Sequence, residues 1–379
     1  MKHAFMVETK TNGRSLPKGW QWVKVEDICI LGRGRVISRI DIKNNPGPYP
    51  VYSSQTQNQG AFGYLATYDF DGEYCTWTTD GANAGTVFYR NGKFNCTNVC
   101  GTLKAKTDDV AMTYLAYALG FVAKDHVFIA SGNPKLMNNV FAKIEIPLPP
   151  LDEQRRIASR LNEQLAAVES ARKAAEEQLS LANTLINAYL KESLLSRLKR
   201  IKLEAGLIEV KNGIGETWDT YPVLGTTRDG VAPAKEKVGK KPGRYKLVEP
   251  GTIFYNPMRI NIGSIGMLDE GEESGITSPD YVVFNSIKGV IHPRWFYYWF
   301  RSPYGETFIK TLARGAVRER IMFTRLALAE LEIPSYEVQS EIAEKLKNVK
   351  QLKISIESQL DEINRLPASL LREAFEGRG

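Results

Sequence analysis

The stretch Ile146-Pro147-Leu148-Pro149-Pro150-Leu151-Asp152-Glu153-Gln154-Arg155-Arg156-Ile157-Ala158 decides the fold, because it returns in weaker form as Ile333-Pro334-Ser335-Tyr336-Glu337-Val338-Gln339-Ser340-Glu341-Ile342-Ala343. Gln, Ile, Ala and a following Leu (Leu161 and Leu346) recur at a constant offset of 185. Self-similarity at a fixed offset marks a duplicated unit. Upstream, Tyr49-Pro50-Val51 is echoed by Tyr221-Pro222-Val223. The aromatic run Tyr114-Leu115-Ala116-Tyr117 is echoed by Phe296-Tyr297-Tyr298-Trp299.

Each copy of the junction opens a stretch with helical periodicity. Ile157, Leu161, Leu165, Val168, Ala175, Leu179, Ala182, Ile186 and Tyr189 are spaced by threes, fours and one seven, the spacing of a narrow apolar seam. Ile342, Leu346, Val349, Ile356, Leu360 and Ile363 repeat it, and Pro367 is expected to end or kink the second helix at Leu366. A long helix with one apolar seam needs another helix over it in water. The other long helix is the simplest partner, giving an intramolecular coiled coil in which Leu179 and Leu360 are buried; packing of each helix into its own domain is the alternative.

The remaining segments are rich in Gly, aromatic and β-branched residues in short runs. Thr86–Arg90 followed by Asn91-Gly92 reads as a hairpin. Gly251–Tyr255 reads as a strand, and residues 109–119 and 293–300 as short helices. The expected architecture is therefore two mixed α/β (α+β) domains alternating with two long helices: 1–150, 151–199, 200–333 and 334–379.

With 379 residues, 43% hydrophobic and 25% charged, the composition is that of a folded globular chain with material for more than one core. No run is apolar enough to span a membrane and the first residues lack a secretory apolar region, so no membrane role and a cytoplasmic location are expected. The net charge is +7. Residues 1–150 carry +4 and 200–333 carry +3, while the two helical stretches cancel, so any anionic partner belongs to the globular domains. Four cysteines at 29, 75, 96 and 100 suit a reducing compartment, and Cys96-x3-Cys100 lacks a second pair or nearby histidine to complete a metal site.

Catalytic signatures are missing from the sequence. It has no S-adenosylmethionine loop, no Asn/Asp-Pro-Pro-aromatic tetrapeptide and no phosphate-binding P-loop. Asn45-Pro46-Gly47 and Asn256-Pro257-Met258 read as turns, as does the acidic group Asp69, Asp71 and Glu73. Recognition residues are easier to find. In the first half, Ser54, Gln55, Gln57 and Asn58 concentrate groups able to read base edges, and Trp77, Thr78, Thr79 and Asn83 precede a Gly-rich turn. In the second half, Lys235, Lys237, Lys240, Lys241 and Arg244 form a basic loop, and Arg314, Arg318 and Arg320, with Arg325, form an arginine cluster. Lys135 and Arg259 complete the candidates for DNA binding. No catalytic residue and no metal ligand are expected.

The opening Leu16-Pro17-Lys18-Gly19-Trp20-Gln21-Trp22, the junction at 146–154, its weaker copy at 333–339 and the alternation of domain with long helix resemble the specificity subunit of type I restriction-modification enzymes. The resemblance covers nearly the whole chain, although the second half lacks the Pro-x-Gly-Trp opening and the double proline. It implies two target recognition domains that read a bipartite, asymmetric sequence of duplex DNA, with the long helices packed antiparallel as spacer and docking surface. It also implies partners: methyltransferase subunits, two in number, that bind S-adenosylmethionine and methylate adenine, and motor-nuclease (restriction) subunits that use ATP and magnesium. No cofactor is expected on this chain. A self-contained modification or restriction enzyme with unfamiliar motifs, or an RNA-binding or scaffold coiled-coil protein, remains an alternative.

Overall fold

A computed structural model describes residues 16–235, 237–313 and 320–376. The chain divides into two units, the first made of residues 1–173 and 361–379, the second of 174–360.

In the first unit the chain order begins β1 (Gln21–Lys24), α1 (Val25–Ile28), β2 (Cys29–Arg33), α2 (Arg39–Asn44), β3 (Tyr49–Tyr52) and β4 (Ala61–Leu65). It continues β5 (Tyr74–Thr78), β6 (Val87–Arg90), β7 (Asn95–Cys96), β8 (Cys100–Ala105) and α3 (Met112–Val122). The hairpin β9 (Phe128–Ala130) and β10 (Asn133–Lys135), α4 (Asn138–Phe141) and β11 (Glu145–Leu148) lead into α5 (Leu151–Leu194). The strands form an antiparallel sheet β2-β8-β5-β6, a smaller sheet β4-β3-β7 and the pair β1-β11.

The second unit has β12 (Lys199–Lys202), β13 (Leu207–Glu209), β14 (Val223–Thr227), β15 (Gly230–Pro233), β16 (Lys246–Val248), β17 (Ile253–Tyr255), β18 (Ile265–Met267), β19 (Gly275–Thr277) and β20 (Val282–Ser286). There follow α6 (Pro293–Arg301), α7 (Pro303–Ala313), α8 (Phe323–Ala327), β21 (Glu330–Ile333) and α9 (Tyr336–Glu376). Sheet β13-β20-β17-β18 repeats β2-β8-β5-β6, and the pair β12-β21 repeats β1-β11. In the smaller sheets β3 pairs antiparallel with β4 and parallel with β7, just as β14 pairs with β15 and β19. The repeat glimpsed at offset 185 is thus a duplicated topology. Strand β12 supplies the start of the second domain, where the sequence has no Pro-x-Gly-Trp counterpart.

The two glutamines at that offset have the same task. Gln154 is buried; its Oε1 accepts from Ala111 N–H at 2.8 Å and its Nε2 donates to the carbonyls of Asp109 (3.0 Å) and Pro149 (2.9 Å). Gln339, also buried, accepts from His292 N–H at 2.8 Å and donates to Val290 (3.0 Å) and Pro334 (2.9 Å). Each amide satisfies backbone groups at the start of a short helix and ties them to the long one, a fully used buried polar side chain.

Every seam position named above is buried or half-buried, Leu179 and Leu360 being half-buried, whereas Leu181 and Ile354, off the seam, are exposed. Within the second unit Lys345 pairs with Glu192 (3.0 Å) and Lys353 with Asn183 (2.8 Å), so α9 and α5 run antiparallel there. Within the first unit Leu370, Leu371, Ala374 and Phe375 of α9 join the core containing Ile157 and Leu161.

Two local expectations are corrected. Pro367 does not end α9, which continues to Glu376. A proline forfeits one helical hydrogen bond, and the apolar packing of residues 370–375 holds the turns beyond it. The strand at 87–90 is present, but Asn91-Gly92 does not close a hairpin: β6 pairs with the preceding β5, and Gly92 exchanges backbone hydrogen bonds with Gly72 (3.1 and 3.2 Å).

Candidate nucleic-acid interface

The first unit brings three segments together beside the end of β5. The loop 53–60 contains Asn58 and Gln59 in the left-handed region (φ 49° and 50°), which costs a side-chain-bearing residue energy unless its surroundings hold it. Arg90 does so. Its guanidinium is buried, donates to the Gln59 carbonyl at 2.7 Å and Thr76 Oγ1 at 3.2 Å, and lies over the Tyr52 ring at 3.4 Å and the Phe88 ring at 4.5 Å. Burial pulls its pKa down from the ordinary arginine value, and the hydrogen bonds with the aromatic faces compensate the desolvated cation. Gln57 and Asn58 are consequently presented to solvent, while Ser54 and Gln55 are half-buried and Gln55 donates to the Ala61 carbonyl.

The second segment, 79–86, is joined to the first by Asn83 Nδ2, which donates to the Ser54 carbonyl at 3.1 Å. The third is the β9–β10 hairpin, held by Gly81 N–H to the Pro134 carbonyl (3.0 Å) and by the ion pair of Lys135 with Asp80 (3.3 Å). Arg33, which sequence reasoning missed, reaches the same place: its Nε donates to the Asn98 carbonyl at 2.7 Å and Nη2 approaches Thr79 Oγ1 at 3.5 Å.

Trp77, Thr78 and Thr79 are corrected: they are interior and hold these loops up. Trp77 stacks on Phe141 at 4.0 Å, donates Nε1–H to the Leu136 carbonyl at 3.0 Å and covers Gly101, where any Cβ would overlap its ring. Thr78 Oγ1 bonds Asn83 O and accepts from Thr86 N–H, and the Thr79 backbone pairs with Val99 and Leu136. The aromatic before the Gly-rich turn is a core post because β5 is covered on both faces, with Cys75, Thr76, Trp77 and Thr78 all buried.

In the second unit Lys235, Lys237 and Arg259 line one cleft of about 590 Å³ with Arg228, Thr226, Asn256 and Ser264. Among the described residues of its walls, Lys235, Lys237, Arg228 and Arg259 face a single acidic side chain, Asp280. Lys240 and Lys241 are exposed beyond it, and Arg244 lines a separate concavity with Lys211 and Lys246. Arg314 and Arg318 lie outside the described residues. Arg320 is exposed, and the next residue, Ile321, donates its N–H to the Pro257 carbonyl (3.2 Å) while its carbonyl accepts from Tyr255 Oη–H (3.0 Å). The first unit does the same with Leu136, whose N–H donates to Thr79 O and whose carbonyl receives Trp77. Lys135 and Arg320 are therefore structural counterparts, one on each unit, at the same offset of 185.

Among the described residues no group of three or more His, Cys, Asp or Glu side chains could hold a metal ion, the four cysteines are buried and unbridged, and no helix is long and apolar enough to cross a membrane. The geometry is that of two sets of polar and basic loops on duplicated sheets. The family model for the type I restriction modification DNA specificity domain matches residues 17–178 and again 225–365. The chain belongs to this family.

Among relatives of this DNA specificity chain, a Mycoplasma pneumoniae protein described as the N-terminus of a type I specificity subunit is 52% identical over 139 residues, 37% of this chain and 74% of that one. The specificity subunit of the Mycoplasma pneumoniae type I restriction enzyme MpnII is 45% identical over 152 residues, 40% of this chain and 45% of that one. The chain thus spans less than half of the latter. Among solved structures, the S subunit of a type I restriction-modification system from M. genitalium aligns over 98% of this chain and 99% of its own (TM-score 0.57, 14% identity). The HsdS subunit from Thermoanaerobacter tengcongensis aligns over 96% and 98% (TM-score 0.54, 17% identity). These two share the fold of the specificity chain.

Proposed function

We propose that each unit of this specificity subunit reads one half of a bipartite, asymmetric duplex DNA sequence, and that the chain directs adenine methylation or cleavage carried out by partners. The observation that carries this reading is the duplication of one framework bearing different loops: Gln57, Asn58 and Asn83 on the first unit, Lys235, Lys237, Arg259 and Arg320 on the second. Amides and arginines suit bidentate contacts to base edges, and lysines suit phosphates. The chain itself is non-catalytic in this reading. S-adenosylmethionine, ATP and magnesium are held by two methyltransferase subunits and by the motor-nuclease subunits, and the assembly works in the cytoplasm.

Replacing residues 17–145 with the corresponding domain of a relative tests the reading. Sites selected from randomised duplex DNA should change in one half and keep the other; simultaneous change in both halves would sink it. Incubating the chain alone with DNA and a labelled methyl donor should give no transfer. Competition by duplex RNA should be weak, because A-form RNA hides its major groove from side chains.

A further inference from the structure

Among the described residues the sheets of the second unit hold no counterpart of the β9–β10 hairpin, which itself buries little. Its turn residues Ser131 and Gly132 both have positive φ (51° and 80°), the geometry of a tight two-residue hairpin whose twist matches its strands. Phe128 faces Lys135, Ile129 faces Pro134 and Ala130 faces Asn133. Alternation places Phe128 and Lys135 on one face of this ribbon and Ile129 with Pro134 on the other. Lys135 is drawn to Asp80, so its face leans on the loop 79–86. Ile129 is left 68% exposed against 40% for Phe128. From His126 to Lys135 the segment contains no acidic side chain.

We propose that this ribbon enters the major groove and that Ile129 makes apolar contact with a thymine methyl group in the first half-site. The inference rests on the reading of the first unit as a DNA reader. The major groove admits a two-stranded ribbon, and the thymine methyl is the apolar group displayed there. Duplex DNA is the occupant favoured by position: the ribbon is hydrogen-bonded to the loop that carries Asn83, its strands carry no carboxylate, and at its base Asp125 is exposed between Lys124 and His126. A solvent-exposed isoleucine on a stiff support costs little entropy when it docks.

The test uses the full chain and a duplex selected from randomised DNA. Each thymine of the first half-site is replaced singly by deoxyuridine, which removes only the methyl group, and binding is compared for the parent and Ile129→Ala. One position should weaken parent binding roughly three- to fivefold, the scale of one buried methyl, and Ile129→Ala should be insensitive there. Melting of the variant should match the parent, since the side chain is exposed. Sequence-specific binding by the parent with every deoxyuridine duplex bound equally would overturn the inference, as would an Ile129→Ala chain as methyl-sensitive as the parent. Loss of methyltransferase assembly by Ile129→Asp with base discrimination intact would also overturn it, making the ribbon a protein-docking face. Failure of the parent to prefer its selected duplex over a scrambled one is a different result, and it would remove the underlying reading instead.

Discussion

The two units solve one structural problem in the same way and one chemical problem differently. Both hang a twisted sheet on a buried aromatic that donates to the carbonyl at 136 or 321, and both lock a short helix with a buried glutamine. Around that frame the first unit displays amides on a loop supported by the buried Arg90, whereas the second displays lysines and arginines about a cleft. The difference teaches that frame and readout are separable: interior hydrogen bonds fix where loops begin and end, and the loops are left to vary.

The largest expected effect tests whether the units are energetically distinct. In the second unit Asp269 and Arg294 are buried together, and Lys350 of α9 reaches Asp269 at 3.2 Å and Glu272 at 2.6 Å. Burial pushes the Asp269 carboxyl up, but the hydrogen bond and charge of Arg294 and the charge of Lys350 outweigh it and hold its pKa below the ordinary value. Asp269→Ala strands a buried guanidinium and should cost about 3–5 kcal/mol. Hydrogen exchange should accelerate in the second unit and leave the first protected. Because the folded pKa is lowered, this stabilisation is complete above about pH 4, the ordinary carboxylate range, and disappears as pH falls through the lowered value. Acid-induced exchange in the parent should therefore mark residues 269–272 and 294, and an Asp269→Ala variant should have a flatter acid limb.

A second experiment asks how deep the equivalence of the frames goes. Gln154→Leu and Gln339→Leu each leave three backbone groups without their partner, and each should cost about 2–4 kcal/mol. Similar losses, each confined to its own unit in hydrogen exchange, sharpen the comparison; one variant that melts like the parent breaks it. Smaller still is Arg90→Met, which keeps the packing volume and removes the support of the left-handed turn. Discrimination in the first half-site should fall about tenfold with the second half-site unchanged. The smallest effect is expected for Lys237→Ala, an exposed phosphate-type contact. Affinity for all duplexes should drop slightly, with the salt slope shallower by about one unit and no change in sequence preference.

The frame was legible in the sequence because its parts are periodic or repeated. The seam residues could be read from spacing, and Gln154 and Gln339 stood out at offset 185, although their amide clamp required coordinates. Trp77 misled because an aromatic amid hydroxyls and glycines looks the same whether it faces DNA or the core; only its stacking on Phe141 and its cover over Gly101 distinguish the two. Arg90 was invisible for the opposite reason: a single arginine at the end of a strand carries no sequence signal, and its role comes from Phe88 on its own strand and from Tyr52 and Gln59, which tertiary structure brings to it. The left-handed Ser131-Gly132 pair of the β9–β10 turn is likewise quiet in the sequence, since Ser-Gly is a weaker hairpin signal than Asn91-Gly92, which proves to be a loop.

Phe375 lies against Tyr114 at 5.6 Å and Phe121 at 5.8 Å, and Ala374 is buried in the same core. The first unit therefore draws on side chains more than 250 positions apart, while everything in the second lies within one uninterrupted span, 174–360. On a ribosome the order of emergence and the order of completion are reversed. The later-made unit can close as soon as its span is out, whereas the earlier-made one must wait, with the apolar patch around Tyr114 and Phe121 uncovered, until residues 370–375 are synthesised. A stop codon just before Leu370 would thus damage the half of the molecule that was translated first.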